Sequence, residues 1–377
     1  MDQSLSLYIH FPFCVRKCRY CDFLSGPADS AAREAYLRAL EREISLVPQF
    51  IGKRPVRTLF FGGGTPSLME EGQLESLMEA LRSEFTIDRD AEISMEVNPG
   101  TADLQKLKAF RKLGINRLSI GVQSFHDEEL ALLGRIHRAE DAVRIFYEAR
   151  QAGFENLNLD LMSALPGQSA ESWRDNLERA CRLGPEHISA YSLIIEEGTP
   201  FASMDLPPLP GEEEDRRMYH ETREILLSHG YERYEISNYA RPGFVCRHNC
   251  VYWSCRDYLG LGLGASSLVG ESRFDCVSSM KDYLSAGNWE DFHEEEISLT
   301  LEDRMEEFMF LGLRMTKGVR PADFEERFHV SFEEIYGKTA GKHLAEGLLA
   351  GDGERLFLTD RGLDIANYVM SDYILDR

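Results

Sequence analysis

The stretch FCVRKCRYCDF, residues 13–23 (the cysteine loop), brings Cys14, Cys18 and Cys21 close together, directly after the apolar run LYIHF. The chain of 377 residues contains eight cysteines, so three of them are concentrated in one basic loop. Core cysteines are normally dispersed among apolar residues, whereas clustered thiols in a loop are typical of a metal site or of catalysis. The cysteine loop therefore predicts a metal site or a catalytic site, and the rest of the sequence is interpreted from this starting point.

Two kinds of metal site are compatible with the cysteine loop. A structural zinc ion takes four protein ligands, and His10 is a candidate for the fourth. A [4Fe–4S] cluster held by three thiolates instead leaves one iron open to a chelating small molecule. The ligand count favours the cluster, and zinc remains the alternative.

Composition excludes several classes of partner. The formal net charge is −22, and so acidic a surface repels nucleic-acid phosphates and anionic lipids. The chain does not start with a basic segment followed by an apolar run, and no stretch approaches the roughly 18 apolar residues of a membrane span. We therefore expect a cytoplasmic protein whose thiols are reduced.

The first half of the chain alternates between strand and helix patterns. Runs rich in β-branched and aromatic residues predict strands at 7–11, 58–61, 92–97, 117–122, 156–162 and 187–195. Helical periodicity is present at 30–47, 67–84, 101–113, 126–151 with a break near Gly134, 169–183 and 211–229. This alternation is typical of a parallel sheet with crossover helices, in a partial barrel or in a doubly wound sheet.

The pattern changes after residue 230 and again near residue 300. We predict a barrel region at 1–230, an irregular, aromatic and glycine-rich connecting region at 231–300, and a small domain at 301–377. Helical patterns at 301–316, 321–328 and 331–350, a strand in GERLFLT and a final helix predict that this last domain is mainly helical and winged-helix-like. Its 16 acidic and 10 basic side chains argue against DNA binding.

Polar side chains mark the same ends of several predicted strands. Glu96 ends the third strand, Gln123 follows the fourth, Asp160 lies in the fifth, and the glycine run FFGGGTP, residues 60–66, follows the second. Parallel α/β folds build their sites at the carboxyl ends of the strands, and consecutive glycines allow a ligand to approach the backbone. The sequence therefore predicts one site that combines these residues with the cysteines.

The cysteine spacing CxxxCxxC, followed by this glycine run, resembles the radical-SAM superfamily. The resemblance implies a partial (β/α)6 TIM-like barrel, in agreement with the alternating units, and a [4Fe–4S] cluster held by Cys14, Cys18 and Cys21. It also implies that S-adenosylmethionine binds the open iron and is cleaved by one electron to methionine and a 5′-deoxyadenosyl radical. By the same resemblance, the residues that bind S-adenosylmethionine are Tyr8, Tyr20, Gly63, Gly64, Thr65, Glu96, Gln123, Arg135 and Asp160.

Further motifs are similar to the branch that contains oxygen-independent coproporphyrinogen III dehydrogenase and the HemW-type heme chaperones. They include EVNPGT, INRLSIGVQSF, LGRIHR, LDLMSALPGQS, YEISNYARPG and LGLGLGASS. The dehydrogenase decarboxylates propionate side chains, whereas the chaperone carries heme to acceptors. The dehydrogenase pattern has a fourth cysteine two positions after the third and a longer N-terminal extension, whereas here DF follows Cys21 and seven residues precede Tyr8. The resemblance therefore favours the heme chaperone, with the dehydrogenase as the alternative and decarboxylation expected to be absent.

The motif HNCVYW matches the HNxxYW pattern of the heme chaperones, which implies that heme is bound by His248, Asn249, Tyr252 and Trp253. A neutral imidazole can ligate iron, and aromatic rings offer flat faces to a macrocycle. Three further cysteines, Cys246, Cys250 and Cys255, flank this motif. We interpret them as incidental thiols, with a role beside the heme or in an auxiliary cluster as the alternatives.

Three basic residues of the cysteine loop, Arg16, Lys17 and Arg19, stand out on an acidic protein. The simplest interpretation is a solvated loop. The alternative hypothesis is that they dock an acidic, flavodoxin-like electron donor. As a heme chaperone, the protein is expected to meet a cytochrome-type acceptor and to be peripheral to the membrane while it delivers heme.

Overall fold

Six parallel strands form the centre of the fold and lie side by side in chain order. This computed structural model describes residues 4–375. The central strands are β1 (Leu5–Phe11), β2 (Pro55–Gly63), β3 (Thr86–Val97), β4 (Arg117–Gln123), β5 (Asn156–Ser163) and β6 (His187–Ser192). Sequential parallel strands joined by crossover helices form the partial (β/α)6 TIM-like barrel that the sequence predicts.

The connecting helices begin and end close to the predicted limits, except that the sequence does not predict the short helix at Pro200–Ser203. They are α1 (Ser30–Phe50), α2 (Glu71–Glu84), α3 (Leu104–Leu113), α4 (Asp127–Leu133), α5 (Ala139–Gln151), α6 (Ala170–Leu183), α7 (Pro200–Ser203) and α8 (Glu212–Ser228). A 3-10 turn, Pro66–Leu68, precedes α2, so the helix predicted from residue 67 starts later. The predicted break near Gly134 is confirmed, because Gly134 ends α4 with a φ of 76°, which favours glycine.

Side chains alternate between two environments along each central strand. On β1, Leu7 and Ile9 are buried in the apolar core, whereas Tyr8 lines a cavity inside the barrel. The same alternation on β3 puts Met95 in the core and Glu96 on the cavity wall. Burial of one such aliphatic side chain contributes roughly 1.5–3 kcal/mol, so the face packed on the helices stabilises the sheet and leaves the cavity face free to be polar.

The sheet continues through residues that the sequence predicts to be an irregular connecting region, 231–300. β9 pairs parallel with β1 and β8 pairs antiparallel with β6, so both edges of the barrel are extended. The description as irregular is therefore corrected: these strands are too short to show a pattern of their own and form by pairing with their neighbours. The elements of this region are β7 (Glu232–Arg233), β8 (Asn238–Ala240), α9 (Arg247–Trp253), β9 (Tyr258–Leu261), β10 (Ser266–Val269), β11 (Ser272–Asp275), α10 (Met280–Ser285), α11 (Trp289–Phe292) and β12 (Ile297–Ser298).

Residues from 301 onward form a second, mainly helical core. Its elements are α12 (Leu301–Gly312), α13 (Pro321–Phe328), α14 (Phe332–Ala345), β13 (Leu349–Gly351), β14 (Leu356–Leu358), α15 (Asp360–Asp364) and α16 (Ala366–Ser371). β13 and β14 pair antiparallel as a short wing, in agreement with the sequence. The division at 1–230, 231–300 and 301–377 stays a prediction. No helix between residues 4 and 375 combines the length and apolar character that a membrane crossing requires.

Polar contacts join this C-terminal core to the connecting region. The guanidinium of Arg327 on α13 donates to the carbonyl oxygen of Cys255 at 2.8 Å. Arg273 of β11 forms a two-pronged ion pair with Glu307 of α12, at 2.5 and 3.1 Å. The helix α9 contacts both β2 and α12, so it lies between the barrel and the C-terminal core.

Candidate functional site

A cavity of about 480 Å³ (the barrel cavity) opens at the carboxyl ends of the central strands. It collects every residue predicted to bind the cluster or S-adenosylmethionine, together with His248, Asn249 and Tyr252 of the predicted heme set. Trp253 lines a neighbouring cavity instead. The cysteine loop and the polar strand ends, which are far apart in the sequence, thus meet in one place.

The three predicted cluster ligands are free, half-buried thiols, Cys14, Cys18 and Cys21. The N–H of Cys14 donates to the carbonyl oxygen of Gly26 at 3.0 Å, which fixes the start of the loop. The guanidinium of Arg135 donates to Sγ of Cys18 at 3.5 Å, and burial raises the pKa of Cys14 and of Cys21. A positive charge therefore lies beside sulfur atoms that a metal centre would hold as thiolates.

The spacing of these sulfur atoms is wider than one zinc ion requires. Thiolates of one zinc ion lie about 2.3 Å from the metal, so their sulfur atoms are within about 4 Å of one another. The sulfur atoms of the cysteine loop do not all lie within 4.8 Å of one another. The candidate fourth ligand, His10, has Nδ1 3.1 Å from the Tyr8 hydroxyl and Nε2 3.0 Å from the Leu24 carbonyl oxygen. The wider spacing suits a polynuclear cluster.

The basic side chains of the cysteine loop differ in what they contact. The guanidinium of Arg16 donates to the carbonyl oxygen of Gly134 at 2.6 Å, and that of Arg19 to the carbonyl oxygen of Leu132 at 3.2 Å. Both therefore bind carbonyl groups at the end of α4, where a helix attracts cations. Lys17 is exposed.

The glycine run at the end of β2 serves close packing of the backbone. A side chain at Gly63 would meet the His10 ring at 2.5 Å, and one at Gly64 would meet the carbonyl oxygen of Phe13 at 2.6 Å. Gly63 also has a φ of 109°, which other residues rarely adopt. The glycines thus allow β1 and the cysteine loop to approach β2, and this approach brings their backbone to the cavity wall beside Thr65.

Glu96 and Asp160 are two carboxyl groups on the wall of the barrel cavity. Burial, and then the charge of Asp160, raise the pKa of Glu96 to about 8, although the Gly63 N–H opposes this by donating to Glu96 at 3.2 Å. Asp160 accepts from the Ser119 hydroxyl at 3.0 Å and from the Asn158 amide at 2.7 Å, and burial raises its pKa. At neutral pH, without a ligand, Glu96 is therefore mainly protonated.

Gln123 and Arg135 are held in defined conformations beside these carboxyl groups. Gln123 has a φ of 64°, which is uncommon for a residue other than glycine, and its Oε1 accepts from the Tyr191 hydroxyl at 3.1 Å. Arg135 donates to Oδ1 of Asn98 at 2.5 Å and to the carbonyl oxygen of Gly121 at 2.6 Å. Residues other than glycine that have a positive φ, as Gln123 does, are concentrated at functional sites, because the surrounding structure must stabilise this conformation.

The HNxxYW motif lies on α9, and its histidine is internal. His248 is 1% exposed, with Nδ1 2.8 Å from the Thr58 hydroxyl and Nε2 2.8 Å from the Tyr252 hydroxyl. Its ring stacks on Phe60, with 5.2 Å between the ring centres. Burial, and then the charge of Arg117, lower the pKa of His248 to about 3. His248 is therefore a neutral imidazole with both nitrogens engaged, and it orients Tyr252.

A second cavity of about 530 Å³ (the aromatic cavity) adjoins the barrel cavity. The two cavities share Tyr8, Phe23 and Tyr252 in their walls. Trp253 and Tyr258 line the aromatic cavity from the connecting region, and α12 contributes residues from the C-terminal core. Several flat rings therefore face one mostly apolar space beside the predicted cluster.

The cysteines around α9 do not converge on one point. Cys246 is buried and its thiol donates to Glu92 at 3.6 Å, Cys250 is half-buried, and Cys255 is buried. Burial raises the pKa of Cys246 and of Cys255 to about 12, and that of Cys250 to about 11. Within residues 4–375 they form no compact group of metal-ligating atoms, and their interpretation as incidental thiols stays a prediction.

Comparison with known proteins matches an N-terminal and a C-terminal region of the chain to known protein families. Residues 8–180 match the radical SAM superfamily, and residues 299–365 match the HemN C-terminal domain. The heme chaperone HemW of Lactococcus lactis is 36% identical, over 100% of this chain and 99% of its own length. The heme chaperone HemW of Bacillus subtilis is 37% identical, over 98% and 99%. The chain belongs to the HemW family.

The fold of this HemW-family chain also matches a solved structure, that of coproporphyrinogen III oxidase (HemN) from Escherichia coli, which is described as a radical SAM enzyme. The TM-score is 0.87 at 27% identity, and the match covers 99% of this chain and 90% of that one. Membership of the radical SAM superfamily implies a [4Fe–4S] cluster and S-adenosylmethionine as cofactors. The barrel cavity fits both, because three free thiols and several polar groups face one space.

Sequence reasoning missed part of the cavity wall of the HemW-family chain. Ser119 lies four residues before Gln123 on β4, and Asn158 lies two residues before Asp160 on β5. Because every second side chain of a strand points to the same face, both could have been predicted from Gln123 and Asp160. Asn98 stands two residues after Glu96 and is found in the same way. Asn238 of β8 also lines the cavity, and no local pattern predicts it.

Proposed function

We propose that this HemW-family protein binds heme in the aromatic cavity and delivers it to an acceptor protein. The observation that carries the proposal is the aromatic cavity itself, whose wall contains Tyr252 and Trp253 of the HNxxYW motif together with Tyr8, Tyr258 and Phe310. A planar macrocycle gains free energy by burial against such rings. The relatives named as heme chaperones support the same function.

Polar groups of the aromatic cavity suit the charged edge of heme. Arg273 lies in the wall, paired with Glu307, and its guanidinium can donate a charge-assisted hydrogen bond to a propionate. The Nε1 atom of Trp253 is buried and has no hydrogen-bond partner among residues 4–375. A buried donor without an acceptor is uncommon in folded proteins.

His248 acts in this proposal by positioning Tyr252. Its Nε2 atom contacts the Tyr252 hydroxyl at 2.8 Å, so coordination of iron by Nε2 requires that contact to break. Asn249 lines the barrel cavity rather than the aromatic cavity. Tyr252 belongs to both walls, as Tyr8 and Phe23 do, and so joins the heme site to the cluster site.

The barrel cavity holds the cluster and S-adenosylmethionine in this proposal. Cys14, Cys18 and Cys21 hold the cluster, which when bound supplies an open iron and one-electron reduction. The backbone of Gly63 and Gly64, with Thr65, holds the amino-acid end of S-adenosylmethionine, and Glu96 accepts from its ribose. Glu96 releases its proton as the cationic ligand enters, which strengthens it as an acceptor. The further contacts are Tyr8, Tyr20, Gln123, Arg135 and Asp160.

The experiment that tests heme binding is a hemin titration of the anaerobically reconstituted protein, followed by absorbance. We expect saturation near one heme per chain, and binding weakened by about tenfold in Trp253→Ala, because the ring and its donor are lost. Tyr147→Ala removes an exposed aromatic ring on α5 and is the matched control. Equal affinity in all three proteins would rule out the aromatic cavity as the heme site.

The His248 assignment has its own spectroscopic test. If His248 positions Tyr252, then Tyr252→Phe and His248→Ala weaken heme binding similarly and leave the heme coordination spectrum alike. A change of iron coordination in His248→Ala, restored by added imidazole, would instead identify His248 as an iron ligand.

The second candidate function is oxidative decarboxylation of coproporphyrinogen III, which the structural match to HemN favours. We expect this activity to be absent. The reconstituted protein is given S-adenosylmethionine, a reductant and coproporphyrinogen III, and the products are quantified. Formation of 5′-deoxyadenosine together with a vinyl product in stoichiometric amounts would establish the enzyme and defeat the chaperone proposal.

Electron donor and heme acceptor are partners in the same proposal. Of the basic residues in the cysteine loop, Lys17 is the one to reverse, because Arg16 and Arg19 hold the loop against α4. We expect Lys17→Glu to slow reduction by an acidic flavodoxin at low salt, with the difference disappearing at high salt. Unchanged rates at low salt would remove the docking hypothesis. The cytochrome-type acceptor and peripheral delivery at the membrane from the cytoplasm remain part of the proposal.

A further inference from the structure

A compact group of metal-ligating side chains lies outside both cavities, between α1 and the segment that follows β11. Glu43 of α1, Cys276 directly after β11 and His293 directly after α11 have their ligand atoms within 4.8 Å of one another. Within residues 4–375 this is the only such group. Glu43 is 0% exposed, Cys276 is 1% exposed, and the His293 side chain is 5% exposed.

The hydrogen bonds of these residues direct three possible metal-ligating atoms toward one another. Nδ1 of His293 lies 2.8 Å from the carbonyl oxygen of Trp289, which can only accept, so Nδ1 carries the proton. Nε2 lies 3.4 Å from Oε1 of Glu43, and this contact lacks hydrogen-bond geometry. The Cys276 thiol donates to the same Oε1 at 3.1 Å, and a bound metal ion would displace this proton. In a neutral ring, a nitrogen lone pair therefore faces a carboxylate, and a cation between them would relieve the repulsion.

Neighbouring groups orient these side chains as they do around protein metal ions. Oε2 of Glu43 accepts from the N–H of Gly262 at 2.9 Å and from the Tyr283 hydroxyl at 2.6 Å. An imidazole ligand likewise donates its other N–H to a backbone carbonyl, as His293 does here. The separations of 3.1 and 3.4 Å between ligand atoms are close to those of tetrahedral ligands placed about 2.0–2.3 Å from zinc.

We propose that Glu43, Cys276 and His293 bind a zinc ion. The set of one sulfur, one nitrogen and one oxygen suits Zn²⁺, and a thiolate and a carboxylate neutralise its charge in a buried place. A water molecule takes the fourth position. The ion joins α1 to both ends of the segment 276–293, which contains α10 and α11. It is separate from the iron held by the cysteine loop.

The test measures zinc in a protein that carries Cys14→Ser, Cys18→Ser and Cys21→Ser, so that the cluster ligands do not compete for metal. After incubation with Zn²⁺ and removal of the excess, we expect about one zinc per chain, and about fivefold less in Cys276→Ala and in His293→Gln. Cys181→Ala is the matched control, since Cys181 is a buried thiol of α6 outside the group. Co²⁺ in place of Zn²⁺ is expected to give a thiolate-to-metal absorption that Cys276→Ala lacks.

Two results overturn the zinc site. One is a protein that retains less than about 0.2 zinc per chain. The other is a zinc content that is the same in Cys276→Ala, His293→Gln and Cys181→Ala. If the cluster-free protein does not fold, zinc and iron are measured together in the reconstituted chain. Loss of zinc with retention of iron in His293→Gln supports the site, and loss of both or of neither overturns it.

Discussion

At the scale of single residues, Glu96 gives the barrel cavity a measurable dependence on pH. Its pKa is about 8 in the folded chain, against an ordinary value of 4.5. Between these values the folded state holds a proton that the unfolded state has released, so the free energy of unfolding falls as pH rises through this window. We expect Glu96→Gln, without ligand, to match the wild type near pH 4.5 and to be more stable by about 1–3 kcal/mol above pH 8.

Chemical denaturation at both pH values measures this difference. Glu79→Gln, on the exposed face of α2, is the matched control and is expected to show one constant difference from wild type. A Glu96→Gln difference that does not change with pH would contradict the raised pKa.

Gly64 tests the close approach of β2 to the cysteine loop. An alanine Cβ would lie 2.6 Å from the carbonyl oxygen and 2.8 Å from the nitrogen of Phe13, so the backbone before Cys14 must move. We expect Gly64→Ala to keep less than about half of the iron after reconstitution and to unfold at lower temperature. At Gly72, in the first turn of α2, nothing lies within 4 Å of an added Cβ, so Gly72→Ala should lose no iron. The measurement is the iron and sulfide content per chain. Full iron content in Gly64→Ala would show that the cysteine loop tolerates the backbone movement and would contradict this prediction.

Residue identity and spacing predicted the cavity wall better than they predicted its contacts. Glu96, Gln123 and Asp160 were predictable because strand ends of a parallel sheet share one edge. The engagement of both nitrogens of His248 was not, because its partner Thr58 is 190 positions away in the chain. Glu43 is likewise brought to Cys276 only by the packing of α1 on the extended sheet, so no local pattern indicates the group.

At the scale of elements, β3 holds the start of α9 through one carboxylate. Glu92 accepts from the N–H groups of Arg247 and His248, each at 3.0 Å, where a helix start leaves its donors unpaired. Glu92→Gln keeps one acceptor oxygen and loses the charge, so we expect a loss of about 1–3 kcal/mol in the free energy of unfolding and weaker hemin binding. Urea denaturation and a hemin titration measure the two effects.

A control on the same strand separates this anchoring role from a general effect of charge. Asp88 lies on β3 and pairs with Arg57 at 3.8 Å near the surface, so Asp88→Asn should change stability by less than about 0.5 kcal/mol. Equal losses in the two variants would argue against a specific role of Glu92.

The elements themselves differ in how far the sequence predicts them. β1 to β6 carry continuous apolar faces under their helices, and their ends were predicted to within about three residues, except that β3 starts at Thr86, well before the predicted residue 92. β7 to β12 are two to four residues long and owe their conformation to pairing at the sheet edges. Composition alone therefore describes residues 231–300 as irregular, although they complete the sheet.

At the scale of the whole molecule, the C-terminal core fixes the end of α9. Arg327 donates to the carbonyl oxygens of Cys255 at 2.8 Å and of Ser254 at 3.4 Å, directly after Trp253. Because the cysteine loop makes no use of this contact, loss of the guanidinium should affect the aromatic cavity and leave the cluster intact. We expect Arg327→Ala to weaken hemin binding by about tenfold, the equivalent of one charge-assisted hydrogen bond, with unchanged iron content.

Arg361→Ala is the control for this coupling, since Arg361 donates to the carbonyl oxygen of Glu346 within the C-terminal core itself. Hemin affinity and iron per chain are measured on the same anaerobic samples. If Arg327→Ala loses iron in parallel with heme, the C-terminal core supports the whole barrel rather than the heme site. If it changes neither quantity, α9 is fixed by Glu92 and the barrel alone, and the contact from Arg327 does not support the heme site.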